Sequence, residues 1–340
     1  MADSLLHQID GFRSVSIIGM CKNAGKTTVL NRLIREAAAA GHKLALTSIG
    51  RDGESQDLVT GTKKPEIYVP SGTLIATASE LALHSCDVTK EILDTTSIYT
   101  PMGEVVLLRA CSDGYVQLAG PSMTGQLAQI RDRFFDLGAQ KVLIDGALSR
   151  KSLCSRRVSD ATILCTGASY HKHLPTVVEE TAFRCRVLTL PETENAALRD
   201  LAAQTERETV LLTGDGFHTL TSSETLEDGL RKTSAEAVFF GGALTDNALK
   251  PLLMSSVSIQ GLRFVVRDGS HILLRQDTVE KIYRRGGQLQ VIDSVNLVAL
   301  TVNPFSAYGT HFDAKELRQR MAEATRLPVY DVMEGDAAWN

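Results

Sequence analysis

The chain has 340 residues and a mass of 36.9 kDa, with 43% hydrophobic and 22% charged residues, so it can form one large or two ordinary globular domains. Its formal net charge of −4 provides no overall basic field, and we therefore expect no nucleic-acid partner. No apolar run approaches the roughly 20 residues of a membrane helix, and residues 1–10 lack a signal peptide's basic start and apolar core, so we expect a cytoplasmic protein without a membrane partner.

The first predicted elements are a strand, a loop and a helix. Residues 14–18 (SVSII) are apolar and β-branched, which indicates a buried strand, and residues 29–36 (VLNRLIRE) have helical periodicity. Between them stands GMCKNAGKTT, from Gly19 to Thr28. In such a loop, backbone N–H groups and the positive end of the helix dipole converge on one anion, as a phosphate-binding loop requires.

The residue types of the loop fit a nucleotide triphosphate. Gly25 lets the backbone approach the phosphates, Lys26 reaches the β- and γ-phosphates, and Thr27 offers its hydroxyl to Mg²⁺. We expect the Lys26 side chain to face solvent when no nucleotide is bound. The loop therefore predicts a nucleoside triphosphate with Mg²⁺, and the predicted nucleotide-binding residues are Lys22, Asn23, Ala24, Gly25, Lys26, Thr27 and Thr28.

The spacing of the loop departs by one residue from the common pattern. In that pattern the first glycine stands five positions before the second, where this chain has Met20, and Gly19 lies one residue further upstream. The alternative interpretation is a glycine-rich turn that binds no ligand.

Strands and helices alternate in the following sequence. Further strand-like runs are residues 43–49, 104–108, 115–119, 141–145 and 161–165. A helix is predicted from Thr124 to Leu137, with Gly138 as its C-cap. The alternation predicts an α/β fold of the P-loop NTPase kind, a mostly parallel sheet covered by helices on both faces, with ligands at the carboxyl ends of the strands.

A smaller C-terminal α/β domain is also predicted. Strand-like runs recur at residues 237–240, 263–266, 296–300 and 328–332, and helical patterns at residues 246–254, 277–285 and 313–325. We therefore assign residues 1–195 to the P-loop nucleotide-binding domain, residues 196–230 to a boundary region, and residues 231–340 to the smaller domain.

Two carboxylates are candidates for the magnesium site, because Mg²⁺ needs hard oxygen ligands beyond one threonine. Asp145 ends an apolar run and precedes Gly146, which fits a Walker B position, so we predict it to be a metal ligand and a catalytic residue. Asp52 follows the second strand, and we predict it to bind the cation or orient the attacking group. An ordinary carboxylate at the end of a strand is the alternative for both.

Three further segments are weaker candidates. Arg150 lies in a basic run after Asp145 and is a predicted catalytic residue, since a cation could stabilise charge on a transferring phosphoryl group; a solvated loop is the alternative. The turn at residues 166–168 could contact the base. Asn303, after a strand of the distal domain, could line a pocket of that domain, with ordinary turn chemistry as the alternative.

The six cysteines contain no CxxC pair, which indicates neither a zinc site nor a disulfide framework. Cys21 stands apart, because a thiol near a helix N-terminus and Lys22 could have a lowered pKa and serve a redox or metal-handling role. The alternative is a small residue tolerated in the loop.

The loop resembles that of dethiobiotin synthetase and of the cobyric acid and cobyrinic acid amide synthases, which belong to the dimerising SIMIBI class of P-loop NTPases. Their Gly-x5-Gly-Lys-Thr pattern is matched from Gly19 onward. Residues 144–147 (IDGA) resemble the Glu-Gly-Ala segment that those enzymes place against Mg²⁺, and Asp52 resembles their acidic residue after the second strand. The resemblance implies ATP, Mg²⁺ and a homodimer, and the absence of an NKxD motif favours ATP over GTP.

Over a longer span, which adds residues 47–54, 144–150 and 166–168, the chain is similar to the P-loop subunit of the reactivase for adenosylcobalamin-dependent lysine aminomutase. That family implies a chaperone-like role, in which ATP drives exchange of damaged cobalamin, with a second reactivase subunit or the mutase as partner. We therefore expect a slow ATP hydrolase that acts as a switch on a partner protein. The alternative is an ATP-dependent small-molecule ligase or kinase of the dethiobiotin synthetase type.

Overall fold

The computed structural model describes residues 4–50, 66–146 and 158–333. The chain divides into two compact units, the first formed by residues 1–182 and 296–340 and the second by residues 183–295. The second unit is thus inserted in the sequence of the first.

The described helices and strands are as follows. The strands are β1 (Ser14–Gly19), β2 (Leu44–Ser48), β3 (Ile67–Val69), β4 (Leu74–Ala78), β5 (Lys90–Thr100), β6 (Gly103–Ala110), β7 (Gly114–Val116), β8 (Lys141–Asp145), β9 (Ala161–Gly167), β10 (Thr209–Thr213), β11 (Gly216–Thr219), β12 (Ala235–Phe240), β13 (Leu244–Thr245), β14 (Arg263–Val266), β15 (Ile272–Leu273), β16 (Gln288–Val291), β17 (Leu297–Asn303) and β18 (Val329–Asp331). The α-helices are α1 (Lys26–Ala39), α2 (Ser79–His84), α3 (Thr124–Asp136), α4 (Leu174–Leu188), α5 (Ala196–Gln204), α6 (Leu226–Lys232), α7 (Asp246–Met254), α8 (Gln276–Arg284) and α9 (Ala314–Thr325). Short 3₁₀ turns occur at Leu6–Ile9 and Gly269–His271.

The first unit is built on a nine-stranded sheet in the order β18-β17-β9-β1-β8-β2-β4-β6-β5. All neighbouring strands from β18 to β4 are parallel, whereas β6 runs antiparallel to both β4 and β5. Every residue of β1 is buried, as expected of a central strand covered on both faces. The predicted mostly parallel sheet is confirmed.

Helices cover both faces of this sheet. On β8, Leu143 belongs to the apolar cluster that contains α1, while Val142 and Ile144 belong to the cluster on the opposite face that contains α3. This alternation follows from the two-residue period of a strand. Phe134 of α3 is fully buried in the second cluster, and such a side chain stabilises the fold by about 2–3 kcal/mol. The helix predicted at residues 124–137 is confirmed as α3.

The second unit has its own five-stranded sheet, in the order β11-β10-β12-β14-β16. Strands β12, β14 and β16 are parallel, and β10 runs antiparallel to β12 and β11. Val238 of β12 packs in a cluster with α7 and α8, while Phe239 faces a separate cluster with α5. This unit is therefore an α/β structure with helices on both faces.

The structure corrects the domain boundaries expected from the sequence. Strands β17 and β18 belong to the nine-stranded sheet, where Leu300 pairs with Leu164 of β9, so residues from 296 onward are not part of a C-terminal domain. Residues 196–230 are not a boundary region but form α5, β10, β11 and α6 of the second unit. The pattern reveals strands, but pairing between strands more than a hundred residues apart leaves no local signal.

None of the described helices combines the length and the apolar character needed to cross a lipid bilayer.

Candidate functional site

The predicted phosphate loop lies at the carboxyl end of the central strand. Strand β1 stands between β9 and β8, and the first residue of the loop is fixed to β9, because the Met20 N–H donates to the Cys165 carbonyl over 2.8 Å. Asn23 and Gly25 both have left-handed backbone conformations, with φ of 58° and 92°. Two such residues turn the chain so that α1 begins at Lys26.

Gly25 is required by conformation and by space. It is the N-cap of α1, and its carbonyl accepts the Val29 N–H over 3.0 Å. A Cβ atom at this position would lie 3.3 Å from Val332 Cγ1 and 3.6 Å from Asn303 Cβ. The turn is thus packed directly against the end of β17 and the residue that follows β18.

Lys26 explains the position of the first glycine. A Cβ atom at residue 19 would lie 3.1 Å from Cδ and 3.2 Å from Nζ of Lys26, so the lysine side chain lies back across the last residue of β1. The side chain is partly buried, which corrects the expectation that it faces solvent. A side chain at residue 19 would therefore crowd the lysine in this position.

The other loop residues differ in what they can offer a phosphate. Ala24 is fully buried in the core beneath α1, so its side chain packs in the core and not against a ligand. Thr27 is buried in the first turn of α1, Thr28 is partly buried, and Lys22 is exposed. The seven predicted nucleotide-binding residues are thus continuous through the loop and the first turn of α1, and their roles stay predictions.

Asp145 is the last residue of β8, and only 3% of its surface is exposed. It is paired in register with Ile17 of β1 on one side and with Ser48 of β2 on the other. The following backbone is held to the same two strands, since Gly146 N–H donates to the Ile17 carbonyl and Ile49 N–H donates to the Asp145 carbonyl. The carboxylate therefore stands one strand from the phosphate loop, where a magnesium ligand is expected.

Asp52 and Arg150 lie outside the described residues. Asp52 follows β2 and Arg150 follows β8, so both are close in sequence to carboxyl ends of strands that flank the loop. Their predicted roles stay predictions.

The cysteine of the loop does not have the lowered pKa that its neighbourhood suggested. Burial raises the pKa of Cys21 to about 11, and the opposing effect of the Lys26 charge is smaller. Burial likewise raises the pKa of Cys165 to about 12, with Lys26 lowering it and Asp145 raising it. Burial thus favours the neutral thiol at both positions, so the lowered pKa expected for Cys21 is wrong and gives no support to a redox or metal-handling role.

The charges that act on Cys165 also show how the site is arranged. Lys26 and Asp145 are both near enough to shift the pKa of this thiol. Cys165 lies directly beside Gly19 in the register of β9 and β1. The predicted lysine and the predicted magnesium ligand thus stand around the same buried strand end.

Gly167 and Asn303 also lie at the site; the sequence placed Gly167 in a turn that could contact the base, and Asn303 in the distal domain. Gly167 ends β9 with φ of 150°, and a Cβ atom there would lie 2.0 Å from the Asn303 carbonyl oxygen. Asn303 ends β17 beside it and accepts the Ala168 N–H through that carbonyl over 2.9 Å. Asn303 was expected to line a pocket of a distal domain, whereas it belongs to the first unit next to Gly25. The sequence shows that a polar residue follows a strand, but it does not show which strand pairs with that strand.

An aromatic loop follows Asn303 at the same edge of the sheet. Residues 304–312 close a tight turn, in which Phe305 pairs with His311 and the Ser306 N–H donates to the Thr310 carbonyl. Phe305 and Tyr308 are 52% and 57% exposed. The loop is joined to the turn after β9 by a 3.4 Å contact between the hydroxyls of Ser306 and Ser169. The loop thus presents two exposed aromatic rings after the carboxyl end of β17.

Comparison of the chain with family models, with curated proteins and with solved structures gives no match.

Proposed function

We propose that the chain is a Mg-ATP-binding P-loop NTPase that hydrolyses ATP slowly and acts as a switch on a partner protein. The observation that carries this proposal is the loop at the end of β1, where Lys26 lies over Gly19 and the left-handed Gly25 begins α1. This geometry places a cation and a helix N-terminus around one small region.

The N-terminus of α1 has neither a capping side chain nor an acidic residue, which favours anion binding. Gly25 has no side chain to cap the helix, and the first turn of α1 contains no acidic residue. Helix N-termini usually attract capping side chains or carboxylates, because the first N–H groups have no partner within the helix. Here these donors and the positive end of a 14-residue helix are left for an external anion such as the phosphates of ATP.

The residues present fit a magnesium ion. Asp145 supplies a buried carboxylate and Thr27 a hydroxyl in the first turn of α1, and both are hard oxygen donors. Asp52 is the further predicted ligand. Bound Mg²⁺ would neutralise phosphate charge, while Lys26 would contact the β- and γ-phosphates and the loop amides would orient the triphosphate.

The strand ends beside the loop are candidates for the moving part of such a switch. Gly167 at the end of β9 and Asn303 at the end of β17 pack on each other, and Asn303 lies next to Gly25. Nucleotide bound at Gly25 would therefore lie beside both strand ends. A reactivase acting on a cobalamin-dependent mutase is one such switch, and the proposal extends to it through the sequence resemblance.

The test is ATP binding and hydrolysis by the full chain. We expect calorimetric titration to show ATP binding that requires Mg²⁺, and we expect slow hydrolysis that accelerates when an inactivated cobalamin-dependent aminomutase is added. ATP that does not bind in the presence of Mg²⁺ would overturn the nucleotide assignment. Rapid turnover with a small carboxylic acid, and no response to a protein, would instead identify a ligase.

A further inference from the structure

A cleft of about 500 Å³ opens in the second unit. It lies at the carboxyl end of β12, where Phe240 is followed by the Gly241–Gly242 turn, and beside the beginning of β10, where Thr209 pairs with Phe240. Ligands of α/β proteins commonly bind outside the carboxyl ends of parallel strands, in clefts of about 300–1,000 Å³. The cleft is separate from the nucleotide site, and no step of the proposed function uses it.

The floor of the cleft is apolar. Phe240, Leu226 and Leu252 line it, and all three are buried members of the core of the second unit. The Phe240 ring stacks on Phe264 at a centroid distance of 6.5 Å, which holds its orientation. An apolar ligand would therefore meet a preformed surface.

Arg207 stands at the rim on an anchored turn. The main-chain N–H of Arg207 donates to Glu208 Oε2 over 2.9 Å, and the main-chain N–H of Glu206 donates to the same oxygen over 3.1 Å. The Glu208 carbonyl in turn accepts the Gly241 N–H over 2.9 Å. A Cβ atom at Gly241 would lie 3.0 Å from the Arg207 nitrogen, so the glycine allows the turn to close over the end of β12.

The charged side chains that line the cleft differ in whether they have partners. Glu224 is paired with Lys232 and His218, and Glu227 is paired with Arg231. The Glu208 carboxylate binds the N–H groups of its own turn. The Arg207 side chain is exposed and has no partner among residues 4–50, 66–146 and 158–333. The cleft thus combines an apolar floor with one available guanidinium.

We propose that this cleft binds a small carboxylic acid. The apolar body of the ligand lies on Phe240, Leu226 and Leu252, and its carboxylate pairs with Arg207, because guanidinium and carboxylate match in charge and planar geometry. The exposed amide of Asn247, also at the rim, supplies a second polar contact.

The first test compares an acid with its neutral analogue on the full chain without nucleotide. We expect calorimetry to show that 3-phenylpropionate binds at least about tenfold more tightly than its primary amide, since only the acid gains the charged pair. Arg207→Gln should lower the affinity for the acid to that for the amide. Arg263→Gln is the matched control, because Arg263 pairs with Glu236 at the amino end of β14 and does not line the cleft.

The second test fills the cleft. Ala248 is exposed at its wall, so Ala248→Phe should keep the thermal midpoint of unfolding and abolish binding of both the acid and the amide. The proposal is overturned if 3-phenylpropionate does not bind at millimolar concentration, if the amide binds equally well, or if either variant binds the acid like the original chain. These results do not depend on ATP binding, so the two proposals fail separately.

Discussion

At the scale of single residues, the Lys26 side chain packs on the backbone of Gly19. The lysine stem rests where a side chain at residue 19 would otherwise project, at distances of 3.1–3.2 Å from the missing Cβ. The path of the lysine over the strand end thus accounts for a glycine at residue 19.

The role of this lysine is tested by Lys26→Ala. We expect the variant to lose about 100-fold in ATP affinity, equivalent to about 2.7 kcal/mol, because a hydrogen-bonded charge on the phosphates is removed. Lys43→Ala is the control, since Lys43 is exposed just before β2, lies outside the loop and carries the same charge. Titration calorimetry that gives the two variants equal affinities would remove Lys26 from its assigned role.

The role of Asp145 is tested by Asp145→Asn, which keeps the size of this buried side chain and removes its charge. We expect ATP hydrolysis in saturating Mg²⁺ to fall at least about tenfold, while ATP affinity changes less, because the carboxylate holds the cation and not the phosphates. Steady-state kinetics at several Mg²⁺ concentrations measures both effects. A variant with the original rate and the original Mg²⁺ dependence would show that Asp145 is only a strand-end carboxylate.

Cys21 shows what residue-level reasoning from the sequence cannot weigh. A nearby helix N-terminus and lysine do lower the pKa of a thiol, and the Lys26 charge acts in that direction. Burial acts oppositely and more strongly, raising the pKa to about 11. The neighbours of Cys21 can be read from the sequence, but the fraction of its surface buried by the rest of the fold cannot.

At the scale of elements, the ends of β9 and β17 are held together by close backbone contact. Gly167→Ala places a Cβ atom 2.0 Å from the Asn303 carbonyl oxygen, so the strand ends must separate. We expect a loss of stability on the order of 2 kcal/mol or more and a weaker affinity for ATP, since Asn303 also packs against Gly25.

The control for this prediction is Gly125→Ala in α3. A Cβ atom there meets nothing within 4 Å, and alanine favours a helix over glycine by up to about 1 kcal/mol, so this variant should be as stable as the original chain or more stable. Chemical denaturation followed by circular dichroism compares the two. Equal stability of Gly167→Ala and the original chain would mean that the two strand ends are not coupled.

The elements that build the loop were predictable because their signals are local. The apolar run of β1, the helical period of α1 and the strand-end Asp145 each appear within a few residues of sequence, and the structure has β1 at Ser14–Gly19 and α1 at Lys26–Ala39. The contribution of β17 was not predictable. Its sequence indicates a strand, but only the fold shows that it pairs with β9 and brings Asn303 to Gly25.

At the scale of the whole molecule, the first unit is made from two separated stretches of chain. Residues 183–295 form the second unit between β9 and β17, so the linear order of the sequence conceals the continuity of the nine-stranded sheet. Sequence order alone suggests an N-terminal domain followed by a C-terminal domain. This division is wrong because parallel strands can pair across a long insertion, as β9 and β17 do here.

The two views of the molecule make opposite predictions for a chain that ends at residue 195. If the nucleotide site were complete in residues 1–195, this fragment would fold cooperatively and bind Mg-ATP. In the structure, however, β17, β18 and Val332 lie outside this fragment, and β9 would lose its partner strand β17. Val332 is next to the loop, because its methyl group would lie 3.3 Å from a Cβ atom at Gly25. We therefore expect the fragment to unfold without a cooperative transition and to show no Mg-ATP binding.

A chain ending at residue 333 is the matched control, since it keeps both strands and Val332, and it should unfold cooperatively and bind ATP like the full chain. Circular dichroism melting curves and calorimetry separate the outcomes, and a fragment of 195 residues with the melting transition and ATP affinity of the control would show that β17 and β18 are dispensable for the site.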